Sequence, residues 1–251
     1  MSDRPPLPPA LAAEILAEFE KGWRKELRRA VPVKDRMKIG RRTMPERAAG
    51  ERNKDFAEVN LGLGPEEAML EARRCLDCAK PACVTGCPVR IDIPSFVKLV
   101  ERGEFAAAAA KVREANSLPA VCGRVCPQET QCEETCHLRK ATGVAVAIGN
   151  LERFVSDFER LEGGSVFPAC APPSGRKAAV VGAGPAGLTV AGELARRGHE
   201  VTVFEALHEP GGVLVYGIPE FRLPKSILVA EVAYLERLGV AFRMNFIVGK
   251  T

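Results

Sequence analysis

Eight of the nine cysteines in this 251-residue chain fall in two short stretches. The first reads RCLDCAKPACVTGCPVRIDIP and spaces Cys75, Cys78, Cys83 and Cys87 as C-x2-C-x4-C-x3-C-P. The second reads CGRVCPQETQCEETC and spaces Cys122, Cys126, Cys132 and Cys136 as C-x3-C-P-x4-C-x3-C. Any fold of this chain has to accommodate that density of thiols. The amino-terminal MSDRPPLPPA is Pro-rich and polar, without the apolar core of a signal peptide. The longest apolar runs fall far short of a membrane span. A cytoplasmic location follows, where thiols stay reduced, so the cysteines point to metal and not to disulfides.

Iron–sulfur clusters suit the pattern. Closely spaced thiolates in one loop wrap part of a cluster, and a more distant residue completes it. In two-cluster ferredoxins the cysteine before proline ligates the other cluster. On that logic Cys75, Cys78 and Cys83 bind one cluster, completed by a cysteine of the second group. Cys87, ahead of Pro88, joins a second cluster with the remaining cysteines. Two structural zinc sites are the competing reading. Four thiols within thirteen residues, followed by proline, fit a ferredoxin better. His137 adjoins Cys136 but is left out of the ligand set. Cys170 stands alone in a linker and is read as free.

The cysteines lie in a helical region. Leu11, Ile15, Phe19, Trp23 and Leu27 recur every four residues, which predicts one helix over Leu11 to Ala30 with Trp23 in the core. Residues 31–60 read as an irregular wrapping segment. Pro65-Glu66-Glu67 opens a helix running to Cys75, with proline at the first position and acids against the dipole. Further helices are predicted over Ser95 to Arg102, Glu104 to Ala115 and Asn150 to Leu161. Gly163-Gly164 and Ala171 to Gly175 mark a linker.

From Lys177 the pattern changes. AAVV runs into GAGPAG, a G-x-G-x-x-G turn that opens a helix. In such a turn the first glycine bends the chain, the second admits a pyrophosphate and the third packs helix on strand. VTVFE is the next strand, Pro224 to Leu238 a helix and VAFRMNFIV a strand. Glu205 ends the second strand, placed to accept from ribose hydroxyls and to repel a 2′-phosphate, which favours FAD or NAD over NADP. The closing Gly249-Lys250-Thr251 lacks the first glycine of a phosphate loop and is read as chance.

The fold class is therefore α + α/β: a helical ferredoxin-like domain followed by an incomplete doubly wound domain. The boundaries are 1–40 for an arm and helix, 41–165 for the cluster domain and 176–251 for the nucleotide domain. The net charge of +4 and 6% aromatics offer no basic face with stacking rings, so nucleic acid is not an expected partner.

RNKDFAEVNLG, EARRCLDCAKPACVTGCPV, IDIPSFV, NSLPAVCGRVCPQETQCE, VAIGNLERF, VVGAGPAGL and GGVLVYGIPEFRLPK together carry a family resemblance. The chain resembles the small (β) subunit of NADPH-dependent glutamate synthase. It resembles still more the iron–sulfur flavoprotein subunit of NADH-dependent ferredoxin:NADP oxidoreductase, and the amino-terminal part of dihydropyrimidine dehydrogenase is similar. The likeness covers nearly everything after residue 40.

This resemblance implies two 4Fe–4S clusters. It implies Cys75, Cys78, Cys83 and Cys136 for one, and Cys87, Cys126, Cys132 and Glu152 for the other, with Cys122 nearby but unbound. Counting thiols alone makes Cys122 that last ligand instead. The resemblance also implies FAD on Gly182, Ala183, Gly184, Pro185, Ala186 and Gly187. Glu205 then meets the adenosine ribose, and Gly211, Gly212 and Val213 lie along the flavin side. It implies a hydride passed from NADPH to the flavin and single electrons passed on through the clusters. No catalytic side chain is implied. The implied partner is a glutamate synthase large subunit or a small flavoprotein or ferredoxin, in a hetero- or homo-oligomer. The chain stops at Thr251 without a second glycine motif, so it reads as a fragment or truncated product whose NADPH site belongs to a missing carboxy-terminal part.

Overall fold

A computed structural model describes residues 5–162 and 167–250. Gly163-Gly164, part of the expected linker, and the first four residues of the expected arm lie outside the described residues. In chain order the helices before the sheet are α1 (Pro9–Phe19), α2 (Gly22–Ala30), α3 (Val33–Arg36), α4 (Ala49–Arg52), α5 (Pro65–Arg73), α6 (Ala82–Gly86), α7 (Ile93–Glu101), α8 (Phe105–Arg113), α9 (Pro119–Val125), α10 (His137–Thr142) and α11 (Ile148–Leu161). Then come β1 (Lys177–Val181), α12 (Pro185–Arg196), β2 (Glu200–Phe204), α13 (Val213–Tyr216), α14 (Lys225–Arg237) and β3 (Ala241–Arg243).

The chain forms two bodies, and the division is not a single cut. The first comprises residues 1–45, 62–115 and 126–165; the second comprises 46–61, 116–125 and 166–251. The second body therefore includes two excursions from the cysteine-rich region.

In the first body α7 is buried along most of its length. Its Phe96, Val97 and Val100 meet Ala108, Ala109 and Val112 of α8 and Leu151, Phe154 and Val155 of α11 in one core. The alanine-rich face lets α8 lie close, and Phe105 then packs edge-on to Phe154 with ring centroids 4.9 Å apart. Asp92 caps α7 by accepting from the Ser95 amide. The irregular segment before α5 is fastened by charge. Glu71 is fully buried and accepts from Arg74 Nη1 (2.6 Å), the Ala147 amide (2.8 Å) and the Arg42 amide (2.7 Å). A buried carboxylate is tolerated only with such complete pairing.

The single helix expected over Leu11 to Ala30 is two. Lys21 is extended at ψ 139° and Gly22 starts the second helix. Glycine is a poor interior helix residue, and a break there costs little. Trp23 is half-buried beneath the Arg102 guanidinium, 4.7 Å from its ring centroid, and not in the core.

The second body holds a parallel sheet of order β1-β2-β3. Lys177 to Val181 pair with Glu200 to Phe204, and Thr202 to Phe204 pair with Ala241 to Arg243. The helix α12 joins β1 to β2, as a parallel pair requires. The last strand is shorter than the expected Val240 to Val248. Asn245 takes a left-handed φ of 56°, which ends the extended run. The excursions are held to this body by hydrogen bonds. The Val59 amide donates to the Phe221 carbonyl at 3.1 Å. The Ala120 amide of α9 donates to buried Glu231 of α14 at 2.9 Å.

Candidate functional site

The helix α5 delivers the chain to Cys75, and the next turn is tight. Asp77, between Cys75 and Cys78, has φ 53°, a left-handed conformation that is uncommon outside glycine. The Asp77 backbone amide favours the Cys75 thiolate, against the larger rise from burial. Beyond Pro81, the short helix α6 carries Cys83. Cys75, Cys78, Cys83 and Cys136 line one pocket, with Leu76, Pro81, Pro94 and Leu138 as apolar walls. His137 lines it too, with Nε2 at 3.3 Å from the Lys80 carbonyl.

Burial raises the thiols of Cys75 and Cys83 above the ordinary range. It pushes Cys78 up to about 12, and the neighbouring charges of Cys75 and Cys136 add to the rise. Four thiolates so close repel one another in a dry site. A metal centre that takes them as ligands removes that repulsion, so this donor set fits an iron–sulfur cluster.

A second group gathers beside the first. Cys87 and Cys132 are buried, and burial raises both thiols. The charge of Glu152, itself buried on α11, raises them further. The backbone amides of Ile91, Val89 and Arg90 oppose that rise at Cys87, and Arg90 has a left-handed φ of 59°. The charge of Cys132 also reaches Cys83. Cys126 is half-buried in the first body, after α9. Cys122 belongs to the second body, on α9, with its thiol 3.7 Å from Asn116 Oδ1. Cys170 is exposed. Among the described residues no group of three or more His, Cys, Asp or Glu side chains is placed to hold a single metal ion.

In the second body the glycine turn joins β1 to α12. Gly182 turns the chain at φ 94°. A Cβ on Gly187 would lie 2.0 Å from the Gly182 carbonyl oxygen, so only glycine lets α12 pack on the turn. A Cβ on Gly184 would meet nothing within 4 Å, which leaves open space above the backbone at the helix N-terminus. That opening, the first-turn amides and the dipole of α12 suit a pyrophosphate. Pro185 takes the first helical position and Ala186 follows it, both exposed.

Glu205 is buried, and the structure gives it a role the sequence did not suggest. Its carboxylate accepts from the Ala183 amide at 2.7 Å and the Leu207 amide at 2.9 Å. It therefore fixes the shape of the turn and keeps lone pairs for a further donor. Gly211 donates to the Ala183 carbonyl at 2.7 Å, and Gly212 approaches so near that its Cβ would lie 3.0 Å from the Gly184 Cα. The Gly211-Gly212 pair thus forms the far wall of the turn, with Val213 exposed after it. Lys225 holds this loop by donating to the carbonyls of Leu214 (3.0 Å), Ile218 (2.5 Å) and Leu223 (3.3 Å). Sequence reasoning missed Lys225, because a lysine beside proline carries no local sign of three backbone acceptors.

Residues 52–163 match the family model for dihydropyrimidine dehydrogenase domain II, 4Fe-4S cluster. Residues 180–217 match the NAD(P)-binding Rossmann-like domain. The glutamate synthase [NADPH] small chain of Azospirillum brasilense is 39% identical over 208 residues, 82% of this chain and 43% of that one. That of Halomonas elongata is 39% identical over 212 residues, 84% of this chain and 45% of that one. The NAD-dependent dihydropyrimidine dehydrogenase subunit PreT of Escherichia coli K12 is 42% identical over 184 residues, 73% of this chain and 44% of that one.

The chain is a homologue of these oxidoreductase subunits. Its residues 52–163 are similar to a 4Fe–4S domain and its residues 180–217 to a Rossmann-like nucleotide-binding domain. It spans less than half the length of each relative named. No helix among the described residues is long and apolar enough to cross a membrane.

Proposed function

We propose that this chain is the cluster-bearing part of an iron–sulfur flavoprotein oxidoreductase, passing electrons between a nicotinamide nucleotide and a protein acceptor. The observation that carries the reading is the pocket ringed by Cys75, Cys78, Cys83 and Cys136, inside the segment that matches a 4Fe–4S domain. When bound, iron–sulfur clusters move single electrons, and a flavin links them to two-electron hydride chemistry.

In this reading Cys75, Cys78, Cys83 and Cys136 hold one 4Fe–4S cluster. Cys87, Cys126, Cys132 and Glu152 hold a second, in a helical ferredoxin-like domain. The charge of Glu152 on Cys87 and Cys132 supports its inclusion. A carboxylate carries the same formal charge as the thiolate it replaces but donates less electron density to iron, so it tunes that cluster's potential. Zinc is the weaker reading, since it needs its ligands about 2.3 Å from one point, and no such convergence occurs among the described residues.

The turn Gly182 to Gly187 holds FAD. The α12 amides face the pyrophosphate, Glu205 reaches the ribose, and Gly211, Gly212 and Val213 border the flavin side. Leu76, Pro81, Pro94 and Leu138 limit water around the thiols. The substrates, NADPH among them, and the partner follow the relatives: a large synthase subunit, or a small flavoprotein or ferredoxin. The reduced thiols suit the cytoplasm.

Ligand choice is tested by comparing Glu152→Ala with Cys122→Ala in anaerobically purified protein by electron paramagnetic resonance. Glu152→Ala alters or removes one reduced-cluster signal, and Cys122→Ala leaves both intact. The reverse pattern makes Cys122 the ligand.

A further inference from the structure

The two thiol groups differ in their charged neighbours. Beside Cys87 and Cys132 the acting side-chain charges are Glu152, read here as a ligand, and, for Cys132, Cys87 and Glu133, which Arg41 pairs at 2.8 Å; no buried lysine among the described residues acts on them. Beside Cys75 and Cys78 the first-body core contains buried cations. Lys98 of α7 is fully buried and donates through Nζ to the Cys75 carbonyl at 2.7 Å and to Glu101 at 2.6 Å. Arg36 is also buried; its Nη1 bonds Glu101 at 2.9 Å and the Arg73 carbonyl at 2.6 Å. On the other side Asp77 is held by buried Arg24 and by partly exposed Arg28. Arg24 also donates to Ser95 at 2.8 Å.

The Lys98–Glu101–Arg36 group sets two cations against one carboxylate and so leaves a positive excess, whereas Arg24 and Arg28 offset Asp77, and Arg24 also acts on Asp92. Burying such an excess is costly unless something negative lies close. Glu101 is already committed to both Lys98 and Arg36. The charge of Lys98 is felt at both Cys75 and Cys78, where it opposes the repulsion between thiolates, while Asp77 adds a negative charge at both, which Arg24 and Arg28 offset. A cube of iron and sulfide with four thiolates is negative in either redox state and gains another negative charge on reduction.

We propose that the positive Lys98–Glu101–Arg36 group, with Arg24 and Arg28 offsetting Asp77, holds the Cys75, Cys78, Cys83 and Cys136 cluster at a higher reduction potential than its neighbour. That cluster is then the first of the pair to accept an electron. The proposal rests on the reading of two iron–sulfur clusters with those ligand sets. Lys98 and Arg28 are positioning residues for charge: they stabilise the electron without touching the substrate.

The test is a mediated redox titration of the anaerobically purified chain, followed by electron paramagnetic resonance, with iron and sulfide assayed in each sample. In Lys98→Met one of the two reduction waves moves to lower potential by about 59 mV, a tenfold change in its one-electron equilibrium. The other wave stays in place. Lys98→Arg restores the position, which a merely structural defect would not do. Arg28 reaches solvent, with 22% of its side chain exposed, so Arg28→Gln leaves the core packed and shifts the same wave downward. If Lys98→Met fails to assemble, Arg28→Gln decides. Unmoved waves in variants with full iron content overturn the proposal. Two clusters absent from the unsubstituted chain overturn the underlying assignment instead, and the iron assay tells the two failures apart.

Discussion

Cys83→Ser removes one cluster and leaves the other. Burial and the charges of Cys75, Cys136 and Cys78 all converge on this thiol, more than on any other member of the group. A serine hydroxyl at that depth stays protonated and is a poor ligand for iron. About half of the iron and sulfide is lost, roughly four atoms of each per chain. One reduced-cluster signal disappears and the second persists. The loss also weakens the first body, because binding energy of a structural metal centre is folding energy. The control is Cys170→Ser, on an exposed thiol, which leaves metal content and unfolding unchanged. Iron and sulfide assays with thermal unfolding check both variants.

Gly187→Ala abolishes nucleotide binding and destabilises the second body. The new Cβ meets the Gly182 carbonyl oxygen at 2.0 Å and the Val180 side chain at 3.4 Å. Both are parts of the strand and turn, so relief requires moving backbone. Overpacking of this kind costs about 1–3 kcal/mol or more. Gly184→Ala separates the two effects. Its Cβ enters open space, so unfolding is unchanged. It nonetheless fills the approach to the helix N-terminus, so flavin affinity falls at least tenfold. Flavin retained per chain after gel filtration, measured beside denaturant unfolding, distinguishes the two. Equal flavin content in Gly184→Ala and the parent chain would mean that no pyrophosphate lies against that turn.

The elements readable from local pattern are those with a period or a cap. Proline and two acids announce α5, and its bounds begin at Pro65. Alternation of apolar and polar residues reveals β2, the apolar run AAVV reveals β1, and the glycines between them announce α12. The helices α6, α9 and α10 carry no such signal, being seven residues or fewer and set among prolines and cysteines. The break at Gly22 was hidden because the four-residue spacing of Leu11 to Leu27 runs straight through it.

Partnerships across long stretches of chain were also invisible. Nothing local says that Glu231 caps the segment holding Cys122, or that residues 46–61 fold with the sheet. The spacing of the cysteines pointed to iron and sulfur but left the fourth ligand open; family likeness, not spacing, named Cys136. The buried cations were the largest omission. Lys98 lies on α7 among buried Phe96, Val97 and Val100, and its partners Glu101 and the Cys75 carbonyl lie one turn and 23 residues away.

The central claim is that these thiols hold iron and sulfide. Metal analysis with acid-labile sulfide and flavin assays on the anaerobically purified chain tests it most directly. Two clusters give roughly eight iron and eight sulfide per chain and negligible zinc. About two zinc per chain with no labile sulfide would contradict the account.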